Sequence, residues 1–356
     1  MEKMQKETCD AVLKGHNVLI LGQGGTGKSF LSSIIKKELT KLGKSVSITS
    51  STGVASLNVE GITIHAWSGI EDGHFSNEQL VTKILTDEHY LKYRNNIFKA
   101  DVLIIDEISM LSCKLFDQLE YICRKVRTND LYFGGLQVVG SGDFFQLPPV
   151  PDPLKYDPGE FCFKSKLFSS TFRHTFILEK VIQDEPDLIQ AVNDVSKGNL
   201  PTETYNLLRW LQRPLPPGDD PTRLFATNFE KEVYNTSRLI DLEGVIKMYD
   251  AIDEGNMKLL GKMQVPKTLR LKKSCPVMLV KNLSKSLVNG MQGTVLELKE
   301  NAVTVKFENI VWFFFNNNIF LFKMLVTFLL QKPKLLMKYF ILIFSYIIKI
   351  LSNNII

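Results

Sequence analysis

Along the first 150 residues, short apolar runs alternate with longer amphipathic ones. Asn17–Leu21, Ser45–Thr49, Val102–Ile105 and Gln137–Gly140 read as strands, and Lys28–Leu42, about Asn77–Tyr93 and Leu115–Arg127 read as helices. Strand–helix alternation predicts an α/β fold with a parallel sheet covered on both faces. Pro148–Pro158, rich in proline, aspartate and glycine, reads as the way out of this domain. Beyond it Leu188–Val195, Tyr205–Gln212 and Phe229–Ile240 read as helices and Arg223–Ala226 as extended, with a stiff loop at Pro214–Pro221. From Pro276 the pattern becomes PVMLVK, GTVLEL and AVTVKF, divided by turns at Asn289–Gly290 and Glu300–Asn301, which predicts a small antiparallel barrel or meander.

Residues 311–356 differ from all of this. Phe, Ile and Leu dominate there, with Asn and Lys, while Gly, Ala, Asp, Glu, Arg, Cys and His are absent. The longest apolar stretches, Ile319–Leu330 and Leu335–Leu351, are interrupted by lysines and lie at or below the roughly 17–25 residues needed to span a bilayer. This composition is what A/T-rich noncoding DNA encodes when translated, and the segment is expected to carry no function. A membrane-associated tail and a buried segment are the alternatives. The expected domains are therefore 1–150, 151–310 with a β-rich part at about 275–308, and the tail 311–356.

A length of 356 residues fits two domains. The net charge of +5 arises from the five lysines of the tail, so the body is neutral and affinity for nucleic acid must come from local basic grooves. Five scattered cysteines without a Cys-x-x-Cys pair point to neither a disulfide framework nor a zinc site, and fit a reducing compartment. The N-terminal MEKMQKETCDAVLKGH lacks the apolar core of a secretory signal.

Gly22-Gln23-Gly24-Gly25-Thr26-Gly27-Lys28-Ser29 fits G-x-x-x-x-G-K-[ST] between an expected strand and an expected helix. Glycines let backbone N–H groups turn inward around phosphate oxygens. Lys28 reaches the β- and γ-phosphates of ATP, Ser29 ligates Mg²⁺, and the helix adds its positive end. Ala100–Glu107 is an apolar strand ending in two acids. In phosphoryl transfer to water one carboxylate holds Mg²⁺ and a neighbour orients and deprotonates the attacking water, which suits Asp106 and Glu107 in that order. Gly142–Pro149 (GDFFQLPP) follows the next strand and places Gln146 for a hydrogen bond to the γ-phosphate or the water. Ser51-Thr52-Gly53-Val54-Ala55 offers small and hydroxyl side chains to a nucleic-acid phosphate, and His65 lies shortly after. A lone histidine is more often structural than ligating.

Together STGVAS, TIHAWSGI, DEISMLSCKLFDQLEYICRKVR and GDFFQLPPV closely resemble the PIF-type (petite integration frequency) helicases of superfamily one. The resemblance continues through LFATN at Leu224–Asn228 and VMLVKNLSKSLVNGMQG at Val277–Gly293, and covers about residues 5–308. It implies a RecA-like P-loop domain and an incomplete second RecA-like domain with a small β-barrel-like insertion. It also implies an ATP-driven, Mg²⁺-dependent 5′-to-3′ helicase acting on single-stranded or forked DNA in repair, recombination and telomere maintenance. The nucleus is the implied location, with the mitochondrion as the alternative, and no membrane association is implied. Residue by residue, Gln5 falls at the adenine-reading glutamine. Gly22, Gly24, Gly25, Thr26, Gly27, Lys28 and Ser29 form the nucleotide loop, and Ser29 and Asp106 the metal site. Lys28, Asp106, Glu107 and Gln146 are the catalytic set, and Thr52, Gly53, His65, Lys281 and Asn282 lie near DNA.

Two departures temper that expectation. The family has an arginine before the glutamine of a V-x-R-Q stretch, whereas this chain reads Val181-Ile182-Gln183-Asp184, and Arg173 does not match the position. Such an arginine can supply about 10³–10⁵ in rate. The H-K-[ST]-Q-G and A-L-S-R blocks of the family are also absent from this sequence, so a C-terminally truncated relative is expected. The rival readings are a nucleotide- and single-stranded-DNA-binding module without unwinding, and a tail-anchored ATPase.

Overall fold

The computed structural model describes residues 2–51, 56, 59, 61–71, 73–182, 185–213, 223, 225, 227–250, 268–279, 287, 291–300, 302–307, 310–315 and 325–327. The chain forms two compact units, Met1–Asn199 and Leu200–Ile356. In the first, helix α1 (Lys3–Leu13) precedes β1 (Val18–Leu21), α2 (Lys28–Lys41), β2 (Val46–Ser50), β3 (Ile62–Thr63) and α3 (Ile64–Ser68). There follow α4 (Asn77–Thr86), α5 (Leu91–Lys99), β4 (Val102–Asp106), α6 (Cys113–Arg127), β5 (Gln137–Gly142), α7 (Phe168–Thr171), β6 (His174–Ile177) and α8 (Pro186–Ser196).

The six strands form one parallel sheet in the order β3-β2-β4-β5-β1-β6. Side chains of β4 alternate between two cores, as a strand buried on both faces requires. Val102 and Ile104 pack with Val18, Ile20, Leu31, Ile35 and Val139 beneath α1 and α2. Leu103 and Ile105 pack on the opposite face with Ile64, Trp67, Leu80, Ile97 and Phe116. Phe116 sits at the centre of that core, its ring 5.4 Å from that of Phe133 and 5.5 Å from that of Phe168.

Two elements differ from the sequence pattern. The helix expected over Asn77–Tyr93 is broken, because extended Asp87 accepts the His89 amide at 2.9 Å on its own carboxylate. A local side-chain bond of this kind competes with helix propagation. The expected boundary at 150 falls inside the first unit, where β6 pairs in register with β1 from Val18↔His174 to Leu21↔Ile177. This edge strand is mostly exposed and leaves no apolar run to be read.

The second unit contains α9 (Thr202–Leu211), α10 (Asn228–Asp241) and the antiparallel pair β7 (Lys247–Asp250) and β8 (Thr268–Leu271). The short strands after Pro276 are β9 (Pro276–Leu279), β10 (Gln292–Leu298) and β11 (Ala302–Phe307). Two more come from the end of the chain, β12 (Ile310–Phe315) and β13 (Leu325–Thr327). They form an antiparallel sheet in the order β12-β11-β10-β9-β13, so part of the apolar tail is sheet. Leu239, Tyr249, Leu271, Val277, Val303 and Phe307 form the core of this unit. Among the described residues no helix is long and apolar enough to cross a membrane.

All five cysteines are free thiols. Burial pushes the Cys162 thiol up to about 12 and that of Cys275 up to about 11. Both therefore stay protonated in the folded chain above the ordinary thiol value of about 8.5, so stability is lost as the pH rises from there toward those values. Two outcomes are expected. At pH 8, iodoacetamide should modify Cys162 and Cys275 far more slowly in the native chain than in urea, as peptide mass mapping would read. Phe116→Ala should cost about 3–5 kcal/mol in urea unfolding, by opening a cavity among the rings of Phe133, Phe168 and Phe172.

Candidate active site

In a parallel sheet every carboxyl end lies on one edge, and ligands bind outside that edge. The ends of β1, β2, β4 and β5 are level there: Leu21 stands beside Gly142, and Ser50 beside Asp106. The loop Gly22–Gly27 leaves β1 and turns into α2, with Gly27 as N-cap in the left-handed region (φ 86°), where a side chain would be strained. Gly22 is required for a different reason, because a Cβ there would lie 2.5 Å from the Leu178 carbonyl oxygen.

Lys28 is buried at the start of α2, and its Nζ donates to the carbonyl oxygens of Gly22 at 2.6 Å and Gln23 at 3.0 Å. Thr26 Oγ1 donates to the Gln23 carbonyl oxygen at 2.9 Å, and Gln23 Nε2 is buried without a hydrogen-bond partner. The loop thus closes around its own lysine and holds an unmatched donor, which fits an incoming anion.

Asp106, at the end of β4, is only 2% exposed. Its Oδ2 accepts from Ser29 Oγ at 3.0 Å and its Oδ1 from Ser141 Oγ. The structure therefore brings Ser29 and Asp106, the two residues named for a metal, into contact. Two hard oxygen donors in contact fit Mg²⁺, which takes few protein ligands and keeps several waters. Glu107 follows in the left-handed region (φ 53°, ψ 43°), a conformation costly for any residue but glycine and most often retained at functional sites. Gln146 sits in a turn after β5, its Nε2 donating to Asp143 Oδ2 at 3.0 Å while Asp143 Oδ1 accepts the Phe145 amide at 3.0 Å.

Gln5 lies buried in α1 and accepts the Glu2 amide at 3.1 Å on Oε1. Its Nε2 would be 3.2 Å from a Cβ built on Gly27, so it borders the glycine loop. A segment after β6 crosses the same loop, with the Ile182 amide donating to the Gly25 carbonyl oxygen at 2.9 Å. It is also tied to α1 by an exposed Lys180–Glu2 ion pair at 2.7 Å. Gly24 completes the described loop. His65 lies in α3, which begins where β3 ends on the same edge of the sheet. Thr52, Gly53, Lys281 and Asn282 fall outside the described residues.

Ser141 and Asp143 were not among the sequence candidates. Their signal was the polar S-G-D at the end of an otherwise apolar strand. Ser51 opens the segment Ser51–Ala55 offered to a nucleic-acid phosphate, and its hydroxyl donates to the Glu107 carbonyl oxygen at 2.8 Å.

The profile of the PIF1-like helicase family matches residues 1–200, and that of the DNA helicase Pif1 2B domain matches residues 258–298. The chain is 39% identical over 315 residues to the ATP-dependent DNA helicase PIF1 of Saccharomyces cerevisiae, covering 84% of this chain and 36% of that protein. Across the curated relatives compared, the chain spans 35–48% of their length. Its structure resembles the crystal structure of Pif1 helicase from Candida albicans, with a TM-score of 0.76, 31% identity, and coverage of 88% of this chain and 78% of that one. It also resembles the Bacteroides Pif1 helicase solved with ADP-AlF3 and single-stranded DNA, with a TM-score of 0.68, 28% identity, and coverage of 88% and 74%.

Ser141→Ala should leave one oxygen of a buried carboxylate without its donor, which costs about 1–3 kcal/mol. Urea unfolding of the variant beside the unsubstituted chain reads this directly.

Proposed function

Because the chain belongs to the PIF1-like helicase family, we propose that it binds and hydrolyses ATP to move 5′ to 3′ along single-stranded DNA and open forked duplexes. The observation that carries this reading is the Ser29–Asp106 contact of 3.0 Å at the mouth of a glycine loop closed on Lys28. The RecA-like sheet brings these groups together from segments 77 residues apart.

In this reading the loop amides and Lys28 take the β- and γ-phosphates. Lys28 exchanges two carbonyl partners for phosphate oxygens, so its charge is never left unpaired. Ser29 and Asp106 would hold Mg²⁺, which when bound neutralises charge on the phosphates. Glu107 accepts the proton of the attacking water. Gln146 leaves Asp143 for the γ-phosphate or that water and so reports the state of the nucleotide to the loop after β5. Gln5 reads the adenine from its place beside Gly27. Thr52, Gly53, His65, Lys281 and Asn282 lie along the strand, where base stacking is worth about 1–3 kcal/mol per base. Work in repair, recombination and telomere maintenance, in the nucleus or the mitochondrion, follows the same reading.

A second reading is a nucleotide- and DNA-binding module with little unwinding. It is favoured by Ile182, which stands before Gln183 where the family resemblance implies a charge-stabilising arginine, and whose amide is committed to the Gly25 carbonyl.

Lys28→Ala should lower ATP hydrolysis at least ~100-fold, the scale for losing a positioned group that stabilises transition-state charge. A coupled phosphate-release assay with and without oligo-dT measures it. An unchanged rate would remove the site assignment, and DNA binding without stimulated hydrolysis would favour the second reading.

A further inference from the structure

The geometry points to Ser51 as a positioning residue that holds the general base Glu107 in its left-handed backbone conformation. The inference rests on the hydrolytic role proposed for Glu107 and adds to it how that carboxylate is kept in place.

Glu107 is the residue whose backbone the strand cannot continue. Asp106 still lies in β4, paired with Ser50, and the next residue turns to φ 53° and ψ 43° before a short helical turn at Ile108–Met110. For a residue with a Cβ this conformation is unfavourable and persists only where neighbours over-determine it. Two donors converge on the Glu107 carbonyl oxygen. Ser51 Oγ donates at 2.8 Å, and the Met110 amide donates at 3.1 Å. The Ser51 amide also donates to the Asp106 carbonyl oxygen at 3.3 Å, so one residue grips both peptide groups at the turn.

The Met110 bond is internal to the turn and would form in any copy of it. The Ser51 hydroxyl and amide come from the end of β2, outside the turn, and tie it to the sheet. Ser51 also directly precedes Thr52 and Gly53 in the sequence, the two residues assigned to the DNA strand. One peptide bond therefore separates a proposed DNA contact from the residue that holds the base. The hydroxyl is consumed in this bond, so a phosphate contact is not its role.

The test uses the full chain and the variants Ser51→Ala and Ser51→Thr. Loss of the hydroxyl should lower kcat for ATP hydrolysis at saturating oligo-dT about fivefold to tenfold, the scale of one hydrogen bond. KM for ATP and the Kd of a fluorescent ATP analogue should stay within twofold. Amide hydrogen exchange across Glu107–Leu111 should speed up about fivefold to tenfold, while exchange across Gly22–Lys28 is unaltered. Ser51→Thr, which keeps the hydroxyl, should restore kcat and exchange. An Ala variant with unaltered exchange, or one losing analogue affinity as strongly as kcat, would overturn the assignment, as would a folded Thr variant that fails to rescue. If the unsubstituted chain hydrolyses no ATP, the motor reading fails on its own and the exchange measurement still decides the role of Ser51. Should Ser51→Ala not fold, the shape-matched pair Ser51→Thr and Ser51→Val gives the same comparison.

Discussion

The site depends on keeping one buried carboxylate fully partnered. Asp106 is 2% exposed, and a polar group so placed is tolerated only when its oxygens are hydrogen-bonded. Its two donors come from separate segments, Ser29 from the start of α2 and Ser141 from the end of β5. They meet only if β1, β4 and β5 run parallel and finish level, as the registers Leu21↔Gly142 and Ile105↔Gly140 provide. An antiparallel strand at any of these places would carry its terminal residue to the opposite edge. Sheet order, strand length and site chemistry are one requirement here.

The same requirement explains what the sequence discloses. Strands buried on both faces leave continuous apolar runs, so β1, β4 and β5 are legible, and the glycine loop and the Asp106–Glu107 pair follow at their ends. Ser141 is not legible as a site residue, nor Ser51 in the contact it makes, because a serine shows its role only once its partner is known. The break at Asp87 and the edge strand β6 escape for a related reason. Each is decided by a single hydrogen bond or pairing rather than by a run of hydrophobic residues.

The stretch Asp106–Arg127, which carries most of the family resemblance, divides its work unevenly. Only its first two residues face the proposed chemistry. Ser112 caps α6 by accepting the Leu115 amide at 3.2 Å, and its hydroxyl donates to Asp157 at 2.6 Å. Lys114 Nζ donates to the Gly73 carbonyl at 2.9 Å. Arg127 donates to the carbonyl oxygens of Ile97 and Ala100 at 3.0 and 2.8 Å, satisfying the open end of α5, and to that of Gly134 at 2.8 Å. The specificity of this signature is largely architectural, since it records how one helix locks the neighbours of the site.

The hydrogen bonds around the site fall into two kinds. Lys28 on the loop carbonyls, Gln146 on Asp143 and Ser29 on Asp106 each occupy a group whose proposed partner is a phosphate oxygen, a water or a metal ion. Exchanging one such bond for another changes the free energy little, whereas leaving a buried group unpaired costs about 1–3 kcal/mol. These bonds therefore keep the site assembled and give way at small cost. Ser141 on Asp106 and Ser51 on Glu107 have no proposed ligand to exchange for. They are permanent, and they fix where the exchangeable groups stand. That division would let a rigid sheet edge carry side chains that change partner through the proposed turnover without the backbone beneath them having to move.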